Sequence, residues 1–147
     1  MEGLHYLLMK SHAMFSRRVL SEISKLGLSS GQPKVLDFLL QHGEADQKTI
    51  AAYCEIEQTT VGSILLRMET AGLVMRRQKD GNRRSLYVSL TSAGKEKAEK
   101  LMDIFREIEA DATTNLSVSE METLNRLLTQ ICADLQESGR RYLYEQK

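Results

Sequence analysis

Apolar residues recur at intervals of three and four along most of this chain, a spacing that places them on one face of an α-helix. The first such stripe runs through residues 4–26 and stops at Gly27, a residue type that commonly ends helices. A second helix is predicted from about Ser30 to Gly43, with Pro33 in its first turn, where the missing N–H costs little. The chain is therefore expected to start with two helices, each burying one face.

The C-terminal third of the chain carries two more apolar stripes. Thr91 is placed to cap a long helix, and Ser117 with Glu120 matches the capping-box pattern of the next one. The stripes of the first and last helices are longer than the core of a monomer would cover, so we expect them to pack against a second copy of the chain. The alternative is a monomeric helical bundle. The residues expected in the dimer interface are Leu4, Leu7, Leu8, Leu124, Leu127, Leu128 and Ile131.

Between these helical ends lies a pair of short helices. Asp46 is a good N-cap for a helix over residues 47–54, and after a short break a second helix extends to about Gly72. Two helices joined in this way, the second with a polar outer face, are typical of a helix-turn-helix, whose second helix lies in the major groove of DNA. The side chains expected to meet base edges are Gln58, Thr59, Thr60 and Ser63.

Residues 73–90 change from a helical period to a period of two, which predicts a β-hairpin with a tight turn at the segment DGN, residues 80–82. An arginine beside this turn, Arg83 or Arg84, suits a narrow minor groove, where the negative potential is strongest. Other basic side chains are expected to meet phosphates, which adds affinity but no sequence information. These are Arg67, Arg76, Arg77 and Lys79.

Charge is balanced over the whole chain, with 20 basic and 20 acidic residues. It is unevenly distributed, because residues 67–84 hold six basic and two acidic residues, while residues 103–122 hold six acidic residues and one arginine. The local field steers a charged partner more than the total does, although a charge run is also what a solvated face would carry. The basic segment coincides with the predicted hairpin, so the charge pattern favours a nucleic-acid partner.

Other classes of function find little support. Cys54, Cys132 and the three histidines show no metal-ligand spacing, and the two cysteines form no disulfide framework. His12 is the histidine best placed to line a pocket, although a solvent-facing or core position is favoured. There is no Gly-rich phosphate loop or nucleophile elbow, so neither catalysis nor a cofactor is expected. No apolar run approaches the roughly 18 residues of a membrane span, and the start lacks a signal-peptide pattern, so the expected compartment is the reducing cytoplasm.

Over residues 4–140 the chain resembles the MarR family of bacterial regulators. The stretches that carry the resemblance are DQKTIAAYCEIEQTTVGSILLRMETAGLVMRR, DGNRRSLYVSLTSAGKE and LSVSEMETLNRLL. The resemblance implies a dimer formed by the first and last helices, a recognition helix in the major groove and a wing arginine in the minor groove. It also implies repression of promoters, with release from DNA when a small phenolic or other anionic compound binds between the dimer and DNA-binding regions. By position, Arg83 or Arg84 matches the arginine that enters DNA. We expect Arg83 in that role and Arg84 in an ion pair within the wing, for which Asp80 could supply the carboxylate.

Two acids depart from the family pattern in the helix-turn-helix. Glu55 stands where the family often has glycine, and Glu57 stands where Ser or Thr often caps the recognition helix. Glutamate is a poorer N-cap, although its charge suits the positive end of a helix, and both acids would weaken binding to a nearby DNA backbone. Cysteine redox sensing, which occurs in part of the family, is disfavoured because Cys54 and Cys132 both read as packing residues.

These patterns predict a mainly α-helical protein with a small β-hairpin wing. A winged helix-turn-helix DNA-binding region is expected at residues 30–90, and a helical dimerisation region at residues 1–29 and 91–147. The predicted function is sequence-specific transcription regulation through near-palindromic double-stranded DNA. The family resemblance implies that the regulator is a repressor and that a small-molecule effector releases it. The alternative is a winged-helix protein-interaction module that does not bind DNA.

Overall fold

A computed structural model of the chain describes residues 1–79 and 81–145, without the side chains of residues 82–85 and 142–144. The chain divides into an N-terminal unit, Met1–Ile108, and a C-terminal unit, Glu109–Lys147. The predicted architecture of a mainly helical protein with a small sheet is confirmed.

The two helices predicted at the start of the chain are both present. Helix α1 spans Leu4–Ile23 and continues as a short 3₁₀ turn, Ser24–Leu26. Gly27 then adopts a left-handed conformation with φ 72°, which glycine tolerates without a steric penalty, so the predicted stop at this residue is confirmed. Helix α2 spans Gln32–His42, and so begins two residues after the expected start at Ser30, with the proline in its first turn as predicted.

The short helix pair follows directly. Helix α3 spans Gln47–Cys54 and helix α4 spans Gln58–Thr70. Asp46 caps α3 as predicted, because its Oδ1 accepts a hydrogen bond from the backbone N–H of Thr49 at 2.8 Å. The hydrogen bonds from Thr49 also hold the pKa of Asp46 below its ordinary value, so the cap strengthens as this carboxyl ionises.

The predicted hairpin is part of a three-stranded antiparallel sheet with the order β1-β3-β2. Strand β2 spans Val74–Lys79 and pairs with β3, Asn82–Leu90, in a register that sets Val74 opposite Leu90. Strand β1, Ala45–Asp46, adds the third strand along the other side of β3. Strand β1 has no signal in the sequence, because two residues are too few to show a period.

An apolar cluster connects the helices and the sheet of the N-terminal unit. The side chains with no more than 2% of their surface exposed come from α1, α2, α3, α4, β2, β3 and the next helix, α5 (Ser92–Ala112), so the helix-turn-helix rests on a shared core. These residues are Ile23, Val35, Leu36, Ile50, Val61, Leu65, Met68, Val74, Val88, Ala98 and Leu101.

Helix α5, Ser92–Ala112, starts against the base of the hairpin. Thr91 caps it as predicted, since its Oγ1 accepts from the N–H of Gly94 at 3.0 Å. The same hydroxyl donates to the carbonyl of Gly72 at 2.6 Å, and the N–H of Thr91 donates to the carbonyl of Leu73 at 3.0 Å. The start of α5 is therefore bonded to the turn that follows α4.

Helix α6, Val118–Glu145, forms most of the C-terminal unit. Its predicted capping box is confirmed, because Ser117 N–H donates to Glu120 Oε2 at 2.8 Å and Glu120 N–H donates to Ser117 Oγ at 3.1 Å. Cys132 on this helix is exposed, so the expectation that it packs is wrong for the single chain. Among the described residues, no helix combines the length and apolarity that crossing a bilayer would require.

Candidate nucleic-acid interface

Helix α4 presents one buried face and one polar face. The residues expected to meet bases, Gln58, Thr59, Thr60 and Ser63, are all exposed, and so is Arg67 near the C-terminal end of the helix. The opposite face is buried and consists of Val61, Ile64, Leu65 and Met68. The apolar side therefore holds the helix on the unit, while its first turns offer hydrogen-bonding groups to a partner.

The turn between α3 and α4 carries both of the acids that depart from the family pattern. Glu55 has φ 55° and ψ 45°, and it is the one non-glycine residue with a positive φ in the described part of the chain. A left-handed conformation costs an L-residue about 1–2 kcal/mol, so the helix-turn-helix bears this strain where glycine would avoid it. Glu57 is the N-cap of α4, but its side chain accepts no capping hydrogen bond. Both carboxylates are exposed beside the polar face of α4.

Three basic residues that the sequence analysis assigned to phosphates have carboxylate partners within the chain. Arg76 Nε lies 3.0 Å from Glu69 Oε2, and the side chain of Arg76 is only 19% exposed. Arg77 Nε lies 2.9 Å from Glu44 Oε2, and Lys79 Nζ lies 3.3 Å from Glu44 Oε1. These residues reach a phosphate only by leaving or sharing their carboxylates, so their assignment to the DNA backbone stays a prediction.

Glu44 holds two of the wing cations from outside the hairpin. It lies between α2 and β1, and Arg77 donates to both of its oxygens, from Nε at 2.9 Å and from Nη2 at 3.2 Å. These hydrogen bonds, ahead of the contribution of Lys79, hold the pKa of Glu44 below its ordinary value. Lys79 Nζ also lies 4.3 Å from the centre of the Tyr87 ring, a cation–π distance. The end of β2 that leads into the hairpin turn is thus bound to the body of the unit by charge.

The tip of the wing falls outside the described residues. Asp80, predicted to support the wing, is not described, and the side chains of Arg83 and Arg84 are not described either. Their assignments to the minor groove and to an internal ion pair stay predictions.

A cavity of about 310 Å³ lies within the N-terminal unit, lined by residues of α1, the start of α2 and Phe105 of α5. Most of the lining is apolar, including Phe15, Val19 and Ile23, while His12 and Lys34 are its ionisable members. His12 is exposed, which agrees with the favoured solvent-facing position, and its side chain also lines this pocket. Lys34 Nζ donates to the carbonyl of Cys54 at 3.4 Å, which connects the cavity to the end of α3.

The two cysteines differ in burial, since Cys132 is exposed and Cys54 is not. Cys54 is buried as predicted, and burial raises the pKa of its thiol, which disfavours the reactive thiolate. Among the described residues, no group of three or more His, Cys, Asp or Glu side chains could hold a metal ion.

Two residues that form long-range hydrogen bonds in the site were not predicted from the sequence. Glu44 pairs with Arg77 across 33 positions of the chain, and Gln47 donates from its side-chain amide to the carbonyl of Gln58 at 2.8 Å across 11 positions. Neither contact has a local sequence signal, because each depends on how separate elements pack.

Comparison with known proteins finds similarity to one family of regulators. The sequence model of the MarR family matches residues 28–86. The HTH-type transcriptional repressor IacR of Pseudomonas putida is 24% identical over 131 residues, which cover 89% of this chain and 78% of that protein. The HTH-type transcriptional repressor Rv2887 of Mycobacterium tuberculosis is 25% identical over 131 residues, 89% of this chain and 94% of that protein.

Solved structures share the fold. The Staphylococcus aureus MepR–DNA complex superposes with a TM-score of 0.81 at 23% identity, covering 92% of this chain and 100% of that one. At this level of identity, the similarity shows only that the chain shares the winged-helix fold of that protein.

Proposed function

We propose that the chain is a member of the MarR family, whose sequence model matches residues 28–86, and that it is a homodimeric, sequence-specific DNA-binding regulator that represses transcription. The observation that carries the proposal is the polar, exposed face of α4 on a buried helix-turn-helix. Gln58 can bond both the acceptor and the donor of adenine, and the threonines can bond a base or touch a thymine methyl. The similarity to proteins named as repressors supports the direction of the regulation.

The hairpin supplies the second set of proposed DNA contacts. Arg77 and Lys79 are 62% and 47% exposed despite their pairing with Glu44, so phosphates can compete for them. Arg76 is the least available of the three because of its burial and its pairing with Glu69. Arg83 is proposed for the minor groove and Arg84 for the internal pair with Asp80, as the family resemblance implies.

A second copy of the chain completes the regulator. Leu4 and Leu7 on α1 are 63% and 48% exposed, and Leu124, Leu127 and Leu128 on α6 are between 37% and 46% exposed. Exposed apolar stripes of this kind are usually interfaces. A two-fold dimer would present two α4 helices about 34–36 Å apart on one face of DNA, which requires a near-palindromic site. The helical segments 1–29 and 91–147 are proposed as the dimerisation region and residues 30–90 as the DNA-binding region.

The cavity behind Pro33 and Lys34 is proposed as the effector site. It is apolar with one lysine and one histidine in its lining, which suits an aromatic ring that carries an acidic group. A solved neighbour, NadR, is known in complex with 4-hydroxyphenylacetate, and it superposes with a TM-score of 0.78 at 21% identity over 89% of this chain and 93% of that one. A small phenolic or other anionic compound bound here would act on DNA through α2 and the end of α3.

The proposed activity is binding and release, without a catalytic step or a cofactor. A regulator of this kind works where the bacterial chromosome is, in the cytoplasm. The competing function is a protein-interaction module, for which the exposed Glu55 and Glu57 beside α4 are the favouring observation.

Selection of duplexes from random oligonucleotides by the purified protein tests the function directly. We expect a near-palindromic consensus, and a log–log salt slope of about −0.9 for each phosphate contact. Phenolic acids added to the complex should then release the DNA. If no duplex is enriched and no duplex is bound even at low salt, the chain is not a DNA-binding regulator, and the interaction module becomes the better account.

Replacing Glu44 by glutamine is expected to increase affinity for every duplex. The change removes one negative charge beside Arg77 and Lys79, so their positive charge is no longer offset within the chain. The gain should be several-fold at low salt and should shrink as salt screens the charges. Fluorescence anisotropy against salt concentration measures it.

Glu22→Gln is the matched control, because Glu22 forms a comparable surface ion pair with Lys25 at 3.2 Å in α1 and the 3₁₀ turn. An equal increase in both variants would mean that total charge alone acts, and would contradict a specific role for the carboxylate under the wing.

A further inference from the structure

One hydrogen bond joins the first residues of the two helices of the helix-turn-helix. Gln47 opens α3 and Gln58 opens α4, and Gln47 Nε2 donates to the backbone carbonyl of Gln58 at 2.8 Å. The side chain of Gln47 reaches across the motif rather than along it. Its amide therefore sets the distance between the start of α3 and the start of α4.

The start of α4 has little other local support. Its N-cap, Glu57, contributes no side-chain hydrogen bond, and the preceding turn contains the strained Glu55. The first-turn N–H groups of any helix also lack partners within the helix, so this end is prone to fraying. A bond from Gln47 to the first residue of α4 stabilises the turn that carries Gln58, Thr59 and Thr60.

A glycine in the middle of α4 is explained by the same contact. Gly62 lies one turn after Gln58, and a Cβ added there would lie 3.1 Å from Gln47 Nε2 and 3.7 Å from Gln47 Cδ. Glycine is a poor residue for a helix interior, so its presence needs a local reason. The missing side chain makes room for the amide of Gln47 above the first turn of α4.

We propose that Gln47 is a positioning residue for DNA recognition, whose amide, seated over Gly62, holds the first turn of α4 in the orientation that reads base edges. Hydrogen bonds to bases weaken steeply when distance or angle changes, so a tilt of this turn lowers sequence discrimination before it lowers general affinity. This inference rests on the proposed function, since it concerns the same helix and the same DNA.

The test uses the full-length protein and compares affinity for the selected duplex with affinity for a duplex of permuted sequence. Gln47→Met keeps the length of the side chain and removes the donor. We expect the ratio of the two affinities to fall by about tenfold, the scale of one mismatched base pair. Affinity for the permuted duplex and the melting temperature should change little.

Gln41→Met is the matched control. Gln41 is exposed on α2, and its amide contacts Met102 Sδ at 3.9 Å rather than α4. This variant should keep the wild-type ratio. In the free protein, hydrogen exchange at the Gly62 amide, which pairs with the Gln58 carbonyl in the helical pattern, should be faster in Gln47→Met than in Gln41→Met.

A double-mutant cycle separates positioning from direct contact. Gly62→Ala should lower the ratio in the wild-type background, because the new Cβ would lie 3.1 Å from Gln47 Nε2 and the amide must shift away from it, which distorts its hydrogen bond. The same change should add nothing in the Gln47→Met background. The inference would be overturned if the two substitutions lowered the ratio additively or if Gln47→Met left the ratio unchanged. It would also be overturned if Gln47→Met lowered affinity for both duplexes equally, because Gln47 would then be a phosphate contact or a residue needed for stability. If the wild type selects no duplex at all, the proposed function itself fails. If the wild type is selective and Gln47→Met is equally selective, only the inference about Gln47 fails.

Discussion

Replacing Gly94 by alanine is expected to destabilise the N-terminal unit by about 3 kcal/mol, the upper range for overpacking a closely packed site. A Cβ at this position would overlap the carbonyl oxygen of Leu73 and lie 2.8 Å from its carbonyl carbon. Both atoms belong to the backbone, so no side-chain rotation relieves the overlap. That same carbonyl accepts the N–H of Thr91 at 3.0 Å, so moving it breaks a bond that holds the start of α5 to the hairpin.

Urea unfolding at a fixed protein concentration measures this effect, since the stability of a dimer depends on its concentration. Gly139→Ala is the control, because a Cβ at Gly139 on α6 has nothing within 4 Å. Removing a glycine from a helix interior there should stabilise by about 0.5–1 kcal/mol. If Gly94→Ala unfolds at the wild-type urea concentration, then α5 does not pack against Leu73 as closely as the structure has it.

Replacing Leu128 by aspartate is expected to convert the dimer to monomers at micromolar concentration. Leu128 is 38% exposed in the single chain, and the proposed interface would bury it together with Leu124 and Leu127. In a two-fold interface each substitution occurs twice, so two carboxylates without partners would enter an apolar contact. Loss of the second DNA-reading helix should then reduce affinity for a palindromic duplex by about 100-fold or more.

Sedimentation velocity measures the oligomeric state, and anisotropy with the selected duplex measures the loss of affinity. Ala133→Asp introduces the same carboxylate at another exposed position of α6, about 140° around the helix axis from Leu128 at about 100° per residue. This control should remain a dimer. A dimeric Leu128→Asp would place the interface elsewhere, and dissociation of both variants would show only that α6 tolerates no added charge.

Much of the site followed from short segments of sequence. The period of three to four residues separated the buried Val61 and Leu65 from the exposed Thr59 and Ser63, because a helix repeats that spacing wherever it lies. The caps at Asp46 and Thr91 were predictable because each joins atoms three residues apart. Residues 80–82 indicated the hairpin turn, although the roles of Asp80, Arg83 and Arg84 stay predictions.

The sequence predicted that the wing is basic, but not which of its cations are already paired with carboxylates. Six basic residues in one segment suggested a row of cations open to phosphates. The structure instead pairs Arg76 with Glu69, and both Arg77 and Lys79 with Glu44. Glu44 lies well outside the basic segment in sequence and becomes its neighbour only because β1 brings the end of α2 beside β3.

Local periodicity and short-range hydrogen bonding were enough to specify the helices, their buried faces, their caps and the hairpin, since those interactions span only a few residues. Long-range packing settled which cations are already paired, why Gly62 and Gly94 lack side chains, and what steadies the first turn of α4. The pair of Glu44 with Arg77 spans 33 positions of the chain, and the contact of Gln47 with Gln58 spans 11. These contacts form only after apolar burial has brought the elements together. The local sequence around either residue therefore does not predict them.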